Sequence, residues 1–243
     1  MFKITFANPK GGSGKTTSAI LLAEQIAKAG ASVAVLDCDP NQNIMHWQKD
    51  RTKAGRETAF EVIPAPDEES FMDTLVELED RFDYLVLDLE GTASQLVTYA
   101  TSQSDLVVIP FEPTPMEARQ AARAIKLVRS TSKMMKREIA HTLLVTRANA
   151  AFATTEEKDI RKETDESKIP VMRTSLVRRS AYTRIFRDGA LLDELLEDAK
   201  TATQNSSKGQ RERTLKPLRK AIQNAQLYSQ EILGMLGEME DAA

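Results

Sequence analysis

Apolar positions along the chain switch repeatedly between two periods. Residues 2–7 alternate apolar and polar side chains and predict a short strand. From Ser13 to Lys28 the period becomes helical, with Ile20, Leu21, Ala23, Ile26 and Ala27 recurring on one side and Gly30 as the stop. Val33–Leu36, Tyr84–Leu87 and Leu106–Ile109 are apolar throughout, the mark of strands covered on both faces. The first two end in Asp37 and Asp88, and Pro110 stops the third. Phe60–Ile63, Thr142–Thr146 and Val171–Thr174 predict further strands. Helices are predicted over Glu68–Arg81, from Pro115 to about Arg137, over 155–167, over Ala181–Asp188 up to Gly189, and over Pro217–Met239. Residues 41–57 read as helical or irregular and 200–213 as a polar loop.

Strands alternating with helices give an α/β fold, a mostly parallel sheet flanked by helices. The 243 residues are expected to form one domain, 1–243, in which 200–243 is the polar loop plus a C-terminal helix. A chain of this length buries enough surface to fold without covalent staples. Its one cysteine, Cys38, excludes an intramolecular disulfide and fits a reducing compartment, and with only two histidines a zinc site is not expected. No apolar run reaches the ~18–20 residues of a membrane span, and the N-terminus lacks a signal-peptide pattern, so a cytoplasmic location is expected. In open parallel sheets ligands bind beyond the carboxyl ends of the strands, where Asp37, Asp39 and Asp88 fall.

The most informative stretch is Lys10-Gly-Gly-Ser-Gly-Lys-Thr-Thr17, which follows a predicted strand and opens a predicted helix. Position 9 is Pro where the general phosphate-loop pattern has Gly, leaving a tighter form with a second lysine. Gly11, Gly12, Ser13 and Gly14 let backbone N–H groups approach phosphate oxygens, and the helix beginning near Lys15 adds its positive dipole end. Lys15 is suited to neutralise the β- and γ-phosphates, the Thr16 hydroxyl to ligate Mg²⁺ and the Thr17 hydroxyl to bond the α-phosphate.

This octapeptide resembles the deviant Walker A motif of the ParA/MinD family of ATPases. The similarity continues through Asp37-Cys-Asp-Pro40 (switch I), Leu85-Val-Leu-Asp88 (the Walker B strand), Thr146-Arg-Ala-Asn149 (the adenine-side loop) and Arg178-Arg179-Ser-Ala-Tyr182 with Gly189, over roughly residues 1–195. The resemblance implies ATP and Mg²⁺ as cofactors and a nucleotide-sandwich homodimer in which Lys10 reaches the partner's phosphates. It implies Asp39 as the residue orienting the attacking water, and Arg147 and Asn149 at the base. Asp37 and Asp88 would hold the cation with Thr16, although a strand-end aspartate can instead cap the next helix. Where ParA proteins carry D-x-P-P after the Walker B strand, this chain has Asp88-Leu-Glu-Gly-Thr92. Asp39-Pro-Asn41 followed by Gln42, with His46-Trp47 shortly after, looks closer to VirC-type and small plasmid-encoded ParA proteins.

Net charge changes the picture of partners. Residues 1–116 hold 9 Lys/Arg against 18 Asp/Glu, and residues 117–243 hold 24 against 18. Between Ala118 and Arg137 the basic residues Arg119, Arg123, Lys126, Arg129, Lys133, Lys136 and Arg137 share an arc of about 140° with no acid among them, opposite Ala121, Ile125, Val128 and Met135. A second cluster is Lys200, Lys208, Arg211, Arg213, Lys216, Arg219 and Lys220, and a third is Arg173, Arg178, Arg179, Arg184 and Arg187. The second and third are the better candidates for sequence-independent contacts to duplex DNA, against the alternative of pairing with the acidic N-terminal half. The acidic end Glu238-Met-Glu-Asp-Ala-Ala243 argues against a basic membrane-binding helix. The expected function is therefore a ParA-like DNA-partitioning ATPase. It would dimerise with ATP, bind DNA, lie on the nucleoid, and be stimulated by an adaptor or centromere-binding protein. The alternatives are a VirC-like factor in conjugative DNA transfer, a positioner of protein cargo, or a nucleotide-binding scaffold without useful turnover.

Overall fold

The computed structural model describes residues 1–91 and 94–241. Seven strands form one sheet: β1 (Phe2–Phe6), β2 (Val33–Cys38), β3 (Glu61–Pro64), β4 (Tyr84–Leu89), β5 (Leu106–Phe111), β6 (Ala140–Ala148) and β7 (Leu176–Val177). Their order is β3-β2-β4-β1-β5-β6-β7, and every pairing is parallel. Every residue of β2 and β5 is buried, as their uninterrupted apolar runs predict. Side chains alternate between two cores: Val35 faces one, and Ala34 and Leu36 the other.

The first core is closed by α1 (Lys15–Lys28), α2 (Asn43–Lys53), α7 (Ser180–Arg187), α8 (Leu192–Ala202) and α9 (Lys208–Asp241). The second is closed by α3 (Phe71–Glu79), α4 (Gln95–Gln103) and α5 (Pro115–Met135), with Ile160 of α6 (Thr155–Glu166) at its margin. β1 is central, so the loop leaving it emerges between β4 and β5, at the point where strand order reverses.

Several elements depart from the expectation. Pro110 does not stop β5, which runs on to Phe111. In a strand a residue's N–H and C=O point to the same side, and the Pro110 carbonyl accepts the Asn8 side-chain amide at 2.7 Å, beyond the last β1–β5 pair, Phe6 with Val108. Pro110 stands one step past the last backbone bond of that pairing, Ala7 N–H to the Val108 carbonyl at 3.1 Å, so the missing N–H falls at the end of the ladder and interrupts no pair within it. The strand expected at Val171–Thr174 reduces to one bridge between Leu143 and Val171, and pairing resumes at Leu176–Val177. The loop expected at 200–213 shortens to 203–207: α8 runs to Ala202 and α9 starts at Lys208, so Pro217 lies inside a helix rather than opening one. A helix-interior proline costs about 3 kcal/mol. The buried face Leu215, Leu218, Ala221, Ala225, Tyr228 and Ile232, packed against the first core, offsets it. Ala121, Ile125 and Val128 of α5 face the sheet as expected, but Met135 is exposed, in the last turn where Lys136 leaves the helix left-handed.

A buried arginine fixes α2. Arg51 is fully buried, bonds Glu194 at 2.6 and 2.9 Å, donates to the carbonyls of Gly189 and Glu57, and lies over the Trp47 ring. The Trp47 indole N–H reaches the Ile185 carbonyl at 3.0 Å. Gly189 is required here: a Cβ would stand 3.1 Å from the Arg51 backbone nitrogen, on a residue with φ of 54°.

Glu24 of α1 carries a testable consequence of burial. One carboxylate oxygen accepts the Asp193 backbone N–H at 3.3 Å and the other has no partner. Burial, the dominant cause, pushes its pKa from 4.5 to about 7. The folded state then holds a proton that the unfolded state has lost, so stability falls as pH rises from about 4.5 to about 7. Glu24→Gln should flatten this part of the profile, gaining on the order of 3 kcal/mol relative to wild type at about pH 8 and little at about pH 4, in urea titrations across pH.

Candidate nucleotide site

The loop from Asn8 to Gly14 joins β1 to α1 and is held from below. Asn8 donates to Pro110 and accepts the Lys10 backbone N–H at 2.9 Å, and the Thr146 hydroxyl donates to the Ser13 carbonyl at 2.8 Å. Gly12 and Gly14 have φ of 78° and 103°, which L side chains rarely adopt. At Gly14 a Cβ would also come within 3.2 Å of Thr146. Gly14 caps α1 without a side-chain bond, leaving first-turn N–H groups open to an anion. The buried Ser13 hydroxyl beside them has no partner.

Lys15 is only 6% exposed. Its ammonium donates to the Asn8 and Lys10 carbonyls at 3.1 and 3.3 Å rather than to a carboxylate. Burial lowers its pKa, and the carboxylates of Asp88, Asp39 and Glu90 oppose that shift through space. Thr16 donates to Asp88 Oδ2 at 2.7 Å, while Asp88 Oδ1 is buried without a partner. Burial raises the Asp88 carboxyl to about 7, against the Thr16 bond and Lys15. A carboxylate with a free oxygen beside a loop hydroxyl fits Mg²⁺ held mainly by phosphate and water. Among the described residues no cluster of three or more His, Cys, Asp or Glu competes for a metal.

Asp37, expected at the cation, caps a helix in this structure. Its Oδ2 accepts the backbone N–H groups of Ile44 and Met45, each at 3.0 Å, and Oδ1 faces the Asp39 N–H at 3.4 Å. The carboxylate is committed to the start of α2, whose nominal capping residue Gln42 makes no side-chain bond. Asp39 is half-buried, and one of its oxygens accepts the Asn41 backbone and side-chain N–H groups at 2.9 and 2.8 Å. Cys38 is buried between them, its thiol pushed well up by burial. Thr92 lies outside the described residues, but Gly91 packs on the loop, where a Cβ would stand 3.1 Å from the Pro9 carbonyl.

Beside α1 lies a cavity of 510 Å³ lined by Gly14, Thr17, Arg147, Arg178, Arg179 and Tyr182, among others. Arg178 and Arg179, expected on a DNA surface, thus face the nucleotide side. Arg147 and Arg178 share the Glu112 carboxylate at 3.2 and 2.8 Å. Asn149 does not line this cavity; its side chain accepts the Ala151 N–H at 2.9 Å in a turn.

The other expected DNA contacts separate into used and unused charges. Arg184 and Arg187 both pair with Asp188, at 3.1 and 2.6 Å, and Arg137 donates to the Ser102 and Ser104 carbonyls at 2.8 and 2.9 Å. Arg219 pairs with Glu212 at 3.2 Å. Arg211, Arg213, Lys216 and Lys220 are exposed and make no ion pair among the described residues. Asn8, Glu112 and Glu117 do not stand out in the sequence as parts of the site, and Thr146 is read there only as the start of the adenine-side loop. Only Glu117 carries a local signal, since Thr114-Pro-Met-Glu117 has the spacing of a capping box.

A glycine loop leaving a central parallel strand, with a buried lysine and an uncapped helix end around one cradle, defines a P-loop nucleotide-binding protein. The family model described as VirC1 protein matches residues 1–238. Protein ParA of Rhizobium radiobacter is 31% identical over 192 residues, 79% of this chain and 85% of that protein. Protein virC1 of Rhizobium rhizogenes is 26% identical over 190 residues, 77% and 81% of the two. Among solved structures, a Cyanothece McdA variant in complex with ATP superposes with a TM-score of 0.63 at 18% identity, covering 91% of this chain and 96% of that one. The chain belongs to the VirC1 family.

Lys15→Ala should weaken ATP binding by at least ~100-fold, because it removes the one ammonium aimed into the cradle. Calorimetric titration with ATP and Mg²⁺ measures it; unchanged affinity would overturn the assignment.

Proposed function

We propose that this chain is a ParA-like ATPase that positions DNA, plasmid DNA foremost, by switching between an ATP-bound dimer that grips DNA and an ADP or free form that releases it. The carrying observation is the phosphate cradle of Gly12, Gly14, buried Lys15 and the Thr16–Asp88 pair, with a second lysine, Lys10, on the same loop. Membership of the VirC1 family and the ParA relative support ATP as the nucleotide. Hydrolysis needs a water in line with the bond between the γ-phosphorus and the leaving oxygen of ADP. Asp39 is our choice for orienting that water, supported by its half-buried position and its through-space interaction with Lys15. Negative charge building on the transferred group is met by Lys15, by the open N–H groups of α1 and by Lys10 of the partner subunit. Bound Mg²⁺, held by Thr16 and Asp88, supplies further charge neutralisation. Arg147, Arg178 and Arg179 take the nucleoside side of the cavity, and a DNA-bound adaptor accelerates the slow turnover.

DNA contact falls to the start of α9, where Arg211, Arg213, Lys216 and Lys220 point unpaired into solvent. These are phosphate contacts without base reading, and dimerisation doubles them. They would place the protein on the nucleoid. Among the described residues no helix is long and apolar enough to cross a membrane. A second reading, conjugative transfer of a DNA–protein complex, is favoured by the VirC1 match over residues 1–238. It uses the same ATP switch and differs in the cargo, which pull-down with relaxase or centromere-binding protein distinguishes.

Two experiments test the switch. Asp39→Ala should bind ATP, remain dimeric in light scattering, and hydrolyse at least ~100-fold more slowly; normal turnover or failure to dimerise would refute its role. Arg211→Ala with Lys216→Ala should weaken ATP-dependent DNA binding and flatten its dependence on salt, by about one unit of log–log slope for each phosphate left unneutralised. Arg184→Ala with Arg187→Ala should change it little, since Asp188 already neutralises those charges. Interferometry at several salt concentrations, with and without ATP, ranks the two pairs.

A further inference from the structure

Lys10 is not free in this structure. Its ammonium is paired with Glu117, the third residue of α5, across 107 positions of sequence. The lysine side chain is 36% exposed, while that of the glutamate is only 8% exposed. The second Glu117 oxygen is buried and has no partner. This carboxylate is therefore sunk at the foot of the loop, and Lys10 is its only charged contact among the described residues.

The local sequence offers Glu117 another place. In Thr114-Pro-Met-Glu117 the first half of a capping box is formed: the Thr114 hydroxyl accepts the Glu117 N–H at 3.3 Å. In the complete motif the glutamate reaches back to the Thr114 N–H. Here that N–H is turned to the Glu112 carbonyl, at 2.7 Å, and the glutamate points to Lys10. Glu117 thus has two alternative partners, one on the loop and one on its own helix, where the α5 dipole also favours its charge.

The same loop links this pair to the phosphate site. Lys15 donates to the Lys10 carbonyl and the Asn8 carbonyl, and Asn8 accepts the Lys10 N–H. An incoming triphosphate competes for the Lys15 ammonium and withdraws it from the Lys10 carbonyl. The backbone carrying the paired lysine then loses a restraint.

We infer that Glu117 is the positioning residue for Lys10: it holds the lysine within its own subunit until nucleotide binds, then releases it to the partner and completes its capping box. This rests on the proposed cross-subunit role of Lys10 and adds what governs it. The pair acts as a threshold, because each dimer must open two of them before either lysine crosses. Removing the carboxylate lowers that threshold without touching the cradle.

The test separates the two ideas. In the isolated nucleotide-free protein, acylation of Lys10 by a small amine-reactive reagent, read by mass spectrometry, should be several-fold slower in wild type than in Glu117→Gln. At protein concentrations too low for dimerisation, ATP should raise the wild-type rate toward the variant's. Equal rates in wild type and Glu117→Gln would overturn the inference whether or not the protein dimerises. In light scattering, in an Asp39→Ala background that blocks turnover, Glu117→Gln should dimerise with ATP at about 10-fold lower protein concentration, and at concentrations too low for dimerisation it should bind ATP several-fold more tightly, because ATP and the open pair favour each other reciprocally. Glu117→Asp, which keeps the charge, should fall between wild type and Glu117→Gln. If wild type never dimerises with ATP while the acylation pattern holds, the cross-subunit role of Lys10 fails and the pairing stands. A Glu117→Gln gain that survives in Lys10→Ala would show that the residue acts through something other than Lys10, and would overturn the inference.

Discussion

A lysine ammonium withdrawn from water needs a strong counter-charge, and at Lys15 the free protein supplies only carbonyl oxygens in hydrogen-bond contact. Carboxylates act on it through space without closing on it. The cation is therefore under-compensated, and an anion entering the loop restores the balance. The neighbouring groups fit the same requirement. Asp88 keeps one oxygen without a partner, the Ser13 hydroxyl is orphaned, and the first turn of α1 is uncapped. Each is a cost in this structure that a bound phosphate or cation would remove, so on the proposed reading the site carries its affinity as unsatisfied chemistry rather than as shape alone.

That arrangement survives because the sheet holds the loop from both sides. Parallel strands β4 and β5 flank β1, placing Asp88 opposite Phe6 in register and bringing Pro110 to Asn8. Thr146, at the end of β6, closes over Gly14. Behind switch I, Asp37 ties its carboxylate to the start of α2, while Arg51 and Trp47 pin that helix to α7 and α8. Asp39 lies between a fixed strand and a fixed helix. Its freedom is confined to the short turn through Asn41 and Gln42, the latter with φ of 49°.

The parts legible in the sequence were those in which one local pattern has one physical cause. Apolar runs mark the buried strands, and Lys10–Thr17 reads as a phosphate loop because glycine, lysine and threonine at that spacing serve backbone approach and charge together. What stayed hidden depended on partners far along the chain. Pro217 reads as a helix start until α9 is packed against α1 and α8. α8 begins at Leu192, whose N–H neighbours are served by Glu24 and Glu194, and neither contact is visible in spacing. Asp37 could be cation ligand or helix cap on sequence alone, and only the folded chain shows its carboxylate bonded to Ile44 and Met45 at the start of α2. Arg178 is surface charge, 68% exposed, but that it and Arg179 also line a cavity is not legible in spacing, because the cavity is built from α1, β6, β7 and α7, which converge from distant segments.

The charge asymmetry has a similar resolution. Much of the positive C-terminal half is internally answered: Arg147 and Arg178 by Glu112, Arg184 and Arg187 by Asp188, Arg161 by Glu157. In return, acids of α8 answer Arg51 and Arg56 of the N-terminal half. Counting residues in two halves therefore overstates the free charge near the nucleotide, where arginines and carboxylates are interleaved. Among the described residues, two outer helix faces gather exposed basic side chains without an ion pair: Arg119, Arg123, Lys126, Arg129 and Lys133 on α5, and Lys208, Arg211, Arg213, Lys216 and Lys220 at the start of α9. A polyanion has most to gain on those two faces. Of the two, α9 packs directly against α1, the helix that the phosphate loop opens, and the Tyr228 hydroxyl donates to the Ser18 carbonyl one turn after Gly14. Through that contact α9 is anchored to the helix that the loop opens, while α5 is tied to the loop itself by Glu117 and its pairing with Lys10.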